Sequence, residues 1–185
     1  MAGPYTGWSY ALAAEAGPYD ERSLLPEDLD IALTIGRSDR PQPFHLICQH
    51  DTVLVAMAGT GRVEFAEGSV RWFDYALGDV VYVPAGMPHR IVPGEVSVHH
   101  RFKLPESELE GVAFCCEGCG HELHRRLWSL ADELPQEGYL RGCQEFNEDA
   151  GRRKCTRCGD ERPPVDLDGY RWQEIARAQR AQGGA

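Results

Sequence analysis

No apolar run in this chain approaches the roughly 20 residues that a membrane-spanning helix needs. Residues 1–19 lack a basic start followed by an apolar core, so no secretory leader is expected there. Basic clusters are scarce as well. Gly151-Arg152-Arg153-Lys154 is the one compact basic run, in a chain of formal net charge -10. That balance disfavours a nucleic-acid partner, which calls for a broad positive face. No internal repeat or low-complexity tract stands out. With membrane and nucleic acid set aside, the expectation is a cytoplasmic protein. Its 185 residues suffice for one ordinary domain plus a small appendage.

Cysteine, by contrast, is plentiful and patterned. Cys116-Glu117-Gly118-Cys119-Gly120 and Cys155-Thr156-Arg157-Cys158-Gly159 each set two thiols two residues apart, with a glycine directly after. Such knuckles aim both sulfurs at one ion while backbone N–H groups approach them. Together Cys116, Cys119, Cys155 and Cys158 make a closed tetrahedral site for zinc or iron. A closed site is structural or electron-transferring, so substrate chemistry is expected elsewhere. The other three cysteines, Cys48, Cys115 and Cys143, read as small buried residues. His121 and His124 follow the first knuckle but are surplus to four cysteines.

From Ile31 the chain breaks into short β-branched and aromatic runs: 31–35, 53–57, 62–65, 69–73, 80–83 and 96–102. Glycine, proline and aspartate separate them at intervals of about 8–12 residues, the texture of an antiparallel sandwich or barrel. Gly59-Thr60-Gly61 and Glu67-Gly68 read as hairpin turns. The strand pattern stops after Pro105. Helices are expected at 20–30, with Pro26 near the start, at Leu123 to Leu134 between the knuckles, and at Asp168 to Ala181.

Within the β-region, Gly78-Asp79-Val80-Val81-Tyr82-Val83-Pro84-Ala85-Gly86-Met87-Pro88-His89 follows G-x5-P-x-G-x2-H. A glycine opens a buried strand, Pro84 ends it, Gly86 turns the chain and His89 faces back inward. This resembles the second signature of the cupin superfamily. The fold implied is a mainly β, double-stranded jelly-roll barrel whose mouth commonly holds one metal ion. Upstream, His45 stands at the place of the first signature's histidine, but its usual glutamate position holds Thr52. Asp51, next to it, points to the other side of a regular strand, whereas His50 shares the parity of Thr52. Of His99 and His100, alternation lets one point inward. Three readings stay open: His45 and His89 with His99 or His50; the same pair with Asp51 and a bulge; or a barrel that has lost its metal.

A cupin followed at once by Cys116-x2-Cys119-Gly120-His121-x2-His124 and then Cys155-x2-Cys158-Gly159 resembles the bacterial 3-hydroxyanthranilate 3,4-dioxygenases. The resemblance spans about 31–159. It implies Fe(II) in the barrel, a small aromatic substrate and O2, a rubredoxin-like tail site with iron or zinc, and a homodimer. It also implies four parts: an N-terminal extension at 1–30, a barrel at 31–110, a four-cysteine metal subdomain at 111–165 and a terminal helix and tail at 166–185. The departures cluster in the expected active site. Thr52 replaces the ligand glutamate, Arg101 stands where a substrate-contacting glutamate belongs, and of two carboxylate-gripping arginines Arg40 lies near one while Pro93 falls at the other.

Three functions are therefore open. An enzyme would use Arg101, with Arg40 or Arg90, to hold a substrate carboxylate, and Tyr82 and Trp72 would line the pocket or pack the core. A divergent cupin would bind a small molecule or run an isomerisation or decarboxylation. A redox-active tail would pass electrons, although a staple for the tail is the simpler role.

Overall fold

The computed structural model describes residues 15, 17–23, 32–104 and 108–183. Eleven strands and three helices lie among them. In chain order the strands are β1 (Tyr19–Ser23), β2 (Ala32–Ser38), β3 (His45–Cys48), β4 (Thr52–Ala58), β5 (Gly61–Phe65), β6 (Trp72–Tyr75), β7 (Val80–Val83), β8 (His89–Pro93), β9 (Ser97–Lys103), β10 (Leu109–Cys115) and β11 (Glu122–Ser129). The helices are α1 (Pro135–Glu148), α2 (Ala150–Arg153) and α3 (Trp172–Gly183).

Two antiparallel sheets face each other, in the orders β1-β2-β9-β4-β7 and β11-β10-β3-β8-β5-β6. This is the mainly β jelly roll expected from the sequence, with Cys116 and Cys119 in the turn between β10 and β11 and Cys155 and Cys158 after α2. Side-chain alternation builds two large cores from it, beside a smaller cluster at Ile35 and Val98. Leu54, Ala56, Val63, Phe65, Val81, Val83 and Ile91 fill the barrel. Phe44, Leu46, Cys48, Val112, Phe114 and Trp128 turn outward and meet Tyr139, Cys143 and Phe146 of α1 and Trp172 of α3. Two glycines allow that helix to sit close. A Cβ on Gly138 would lie 2.2 Å from the Trp128 ring, and one on Gly142 2.6 Å from Val112.

Several expectations change. Leu123 to Leu134 is not a helix over 122–129 but the edge strand β11, paired along β10. Its leucine spacing misleads, because the more buried face is carried by His124, Arg126 and Trp128 while Leu127 is exposed. The helix comes later. Pro135 occupies its first turn, and Glu137 accepts a hydrogen bond from the Leu134 backbone N–H (2.9 Å). The strand pattern does not stop at Pro105: β10 runs across the boundary drawn at residue 110 and pairs with β3. Residues 19–23 are a strand, and the short helix expected to start at Pro26 lies outside the described residues, which omit 24–31. Gly59-Thr60-Gly61 is no hairpin, since β4 and β5 belong to different sheets. Glu67-Gly68 does close the β5–β6 hairpin, with Gly68 at φ +86°. Among the described residues no helix is long and apolar enough to cross a membrane.

Candidate functional site

Strand alternation decides which residues face the barrel interior. Phe44, Leu46 and Cys48 point at the helices, so His45 points the other way and is buried. His89 opens β8 beside Leu46 and Phe65 and is fully buried. On β9, His99 and Arg101 are buried while His100 is less so. The turn leading to His89 is pinned from the first motif: the Ala85 N–H donates to Asp51 Oδ1 (2.8 Å) and the Gly86 N–H to the Cys48 carbonyl (2.8 Å).

Arg101 organises the interior. Its side chain has no exposure. Nε donates to Glu21 Oε1 at 2.7 Å, and Nη1 lies 3.4 Å from Thr52 Oγ1 and 2.6 Å from His89 Nε2. A guanidinium cannot accept a hydrogen bond, so His89 Nε2 is the acceptor. Its proton then sits on Nδ1, which donates to the Met87 carbonyl at 2.9 Å. Both His89 nitrogens are thereby engaged. Burial, then the charge of Arg101, lowers the His89 pKa to about 3; burial, then Arg90, lowers His45 to about 3. Both imidazoles are neutral at neutral pH.

Glu21 comes from β1, within the segment read as an extension. It pairs across the sheet with Gly36, and Gly36 pairs with His99. A Cβ on Gly36 would fall 2.2 Å from His99 Nε2, so the glycine makes room for the imidazole. Burial alone would raise the Glu21 pKa. Arg101 first, then His99 and Lys103, hold it well below the carboxylate range. His99 Nε2 stands 3.7 Å from Glu21 Oε1, an electrostatic contact beyond hydrogen-bonding distance. Lys103 Nζ lies 3.8 Å from Glu21 Oε2 and forms a close ion pair with buried Glu110. Hydropathy could not reveal Glu21, because β1 buries two acids, Asp20 and Glu21, beside a single apolar residue, Tyr19.

The other candidates lie apart from this network. Arg40 is exposed, pairs with Asp39 (3.2 Å) and faces the Tyr170 ring at 5.9 Å. His50 sits half-buried in the bend after β3. Arg90 bridges Glu64 (2.7 Å) and Glu117 (2.9 Å), joining the barrel to the first knuckle. Tyr82 and Trp72 do not pack the core: both are about half exposed, at 54% and 53%, on outward faces of β7 and β6. An interior cavity lined by Leu54, Val81, Ile91 and His99 among others measures about 10 Å³, near the least that holds one water.

A mononuclear metal does not fit the barrel as these residues stand. An ion on the His89 Nε2 lone pair would sit about 2.1 Å away and overlap Arg101 Nη1. The position that would supply a carboxylate holds Thr52, itself in contact with the same guanidinium. The cysteines do fit a metal. Among the described residues they are the one group of potential ligands whose atoms lie within 4.8 Å of one another. Cys116 and Cys158 sulfurs are 3.5 Å apart, as are Cys119 and Cys155. Gly120 and Gly159, both at positive φ, close the knuckles by donating to the Cys116 and Cys155 carbonyls (2.8 and 2.9 Å). Desolvation pushes the Cys155 thiol up, but the backbone N–H groups of Cys158 and Arg157 and the neighbouring thiols outweigh it and bring it down to about 6. His121 and His124 are not part of this group; His124 stacks on Phe114 and faces Glu145 at 3.3 Å.

This barrel with a two-knuckle tail has a counterpart in sequence. The chain is 29% identical over 147 residues to a 3-hydroxyanthranilate 3,4-dioxygenase of Bacillus thuringiensis, covering 77% of this chain and 80% of that one. The chain resembles these dioxygenases. A namesake from Burkholderia cenocepacia is 30% identical over 88 residues, 44% of this chain and 47% of its own. No family model matches the sequence. Among solved structures, a cupin-2 domain protein of Shewanella frigidimarina superposes with a TM-score of 0.40 at 16% identity, over 46% of this chain and 79% of that one.

Proposed function

We propose that this chain is a divergent cupin that keeps the dioxygenase scaffold and a cysteine-bound metal but does not open aromatic rings. Its barrel serves as a small-molecule binding or non-redox site. The observation that carries this reading is the 2.6 Å contact between Arg101 Nη1 and His89 Nε2, which takes up the lone pair a catalytic metal would need. The relatives' name points to a small aromatic acid as the ligand class. The tail metal, iron or zinc, acts as a rubredoxin-like staple, because a closed four-sulfur shell leaves no position for substrate.

The test is an oxygen-electrode assay of the Fe(II)-supplemented protein with 3-hydroxyanthranilate and related aminophenols, run beside a thermal-shift titration of the same compounds. Expected are melting shifts without oxygen consumption. Substrate-dependent oxygen uptake that His89→Ala removes would sink the proposal.

A second reading has its own support. Identity to proteins named dioxygenases extends over four-fifths of their length, and His45 and His89 are both inward and neutral. On that reading the chain is a metal-dependent oxygenase, with Fe(II) held by His45, His89 and His99 or His50 and acting on a hydroxyanthranilate-like substrate with O2. It requires Arg101 to leave His89.

A further inference from the structure

We infer that Arg101 is the resident cation of this barrel, standing where the cupin motif would place a metal, with Glu21 of β1 supplying the counter-charge missing at position 52. Three of the groups that would surround a metal, a histidine, a hydroxyl and a carboxylate, meet instead on a guanidinium. His89 Nε2 accepts from Nη1 at 2.6 Å, Thr52 Oγ1 lies 3.4 Å from it, and Glu21 Oε1 accepts from Nε at 2.7 Å. The replaced carboxylate has moved from β4 to β1. Gly36, lying between Glu21 and His99 in the sheet, leaves the space over which this end of the barrel closes.

Charge balance argues the same way. The ionised groups that meet at this end of the barrel are Arg101 and Lys103 against Glu21 and Glu110. Two cations and two carboxylates sum to zero. Asp20, the neighbouring buried acid, is turned away to the Gln136 side chain at 2.7 Å. The carboxylate nearest His99 is Glu21 itself, at 3.7 Å and already paired with Arg101, and the Glu117 that acts on His45 is paired with Arg90 and Arg162. A divalent ion placed among them would leave two positive charges uncompensated in a site with almost no solvent, which burial strongly disfavours. The known relatives' names give no hint of this exchange. It is visible because β1, which carries Glu21, pairs at the edge of the five-stranded sheet.

The inference rests on the reading that the barrel works without a metal, yet it fails separately. Oxygen uptake with one metal per chain would overturn the absence of ring opening and leave this inference standing; a second metal held by the histidines would overturn this inference whether or not oxygen is consumed. The experiment incubates the full chain with excess Co(II), removes free ion, counts total metal per chain and records the visible spectrum. Expected is one metal per chain, with sulfur-to-cobalt charge transfer for all the bound cobalt, unchanged in His89→Ala. A second equivalent, lost in His89→Ala or in Glu21→Gln, overturns it. If His89→Ala does not fold, the wild-type spectrum decides, since any bound cobalt lacking sulfur charge transfer belongs to the histidines. A paired variant gives an independent readout. Glu21→Gln should lower the melting point by several degrees and Glu21→Gln/Arg101→Met should restore it, with or without added metal. Failure of the pair to recover, together with rescue of Glu21→Gln by Co(II), would also overturn the inference.

Discussion

At the scale of single residues, the interior of this barrel is decided by what has little or no side chain as much as by what carries charge. Gly36 sits under His99 so closely that any Cβ would collide with the ring. Gly36→Ala is expected to displace His99 and cost about 1–3 kcal/mol, the usual range for overpacking. Urea denaturation would measure it, and a variant as stable as wild type would contradict the packing described. Some of this scale was legible in the chain. The inward turn of His89 follows from the glycine-proline motif, and the rule that one of His99 and His100 faces inward from a period of two. The role of Glu21 was not legible, because no local pattern links an acid near the N-terminus to an arginine eighty residues later.

At the scale of elements, β-branched and aromatic runs bounded by turn residues were readable as strands, while β3, buried throughout, and β11, with leucines at helical spacing, were not. β4 and β7 show the alternation directly. β3 is buried at every position and only four residues long, so nothing marks it as a strand rather than a turn. β11 shows leucines at helical spacing, yet pairing with β10 outweighs that preference. The helix that does form, α1, joins barrel to tail. Phe146 stacks on Phe114 of β10 with centroids 4.3 Å apart, and the Arg162 guanidinium lies 5.5 Å from its ring. Phe146→Ala should cost about 3–5 kcal/mol, measured by thermal or chemical unfolding. A loss below 1 kcal/mol would mean that α1 is not a principal support of the outer core.

At the scale of the whole molecule, the cysteine centre is tied to the barrel by charge. Glu117, inside the first knuckle, pairs with Arg90 of β8 (2.9 Å) and with Arg162 (3.4 Å), and Arg162 also donates to the Cys115 carbonyl (3.0 Å). A metal that holds the knuckles therefore holds this bridge. Stripping it with a strong chelator should lower the melting midpoint by roughly 6–12 °C, taking about 3 kcal/mol of linkage at 2–4 °C per kcal/mol. Protease cleavage should appear between the knuckles first; a chelated protein with unchanged melting and cleavage would rule out the staple role. The amino-acid sequence by itself determined the jelly roll and the four-sulfur centre, because both rest on local spacing: a period of two, a glycine-proline turn, two thiols per knuckle. Only the tertiary structure decided which side chains meet inside the barrel. That outcome depends on β1, β4, β8 and β9 bringing Glu21, Thr52, His89 and Arg101 together from distant parts of the chain, where a buried guanidinium and a divalent ion cannot share one lone pair.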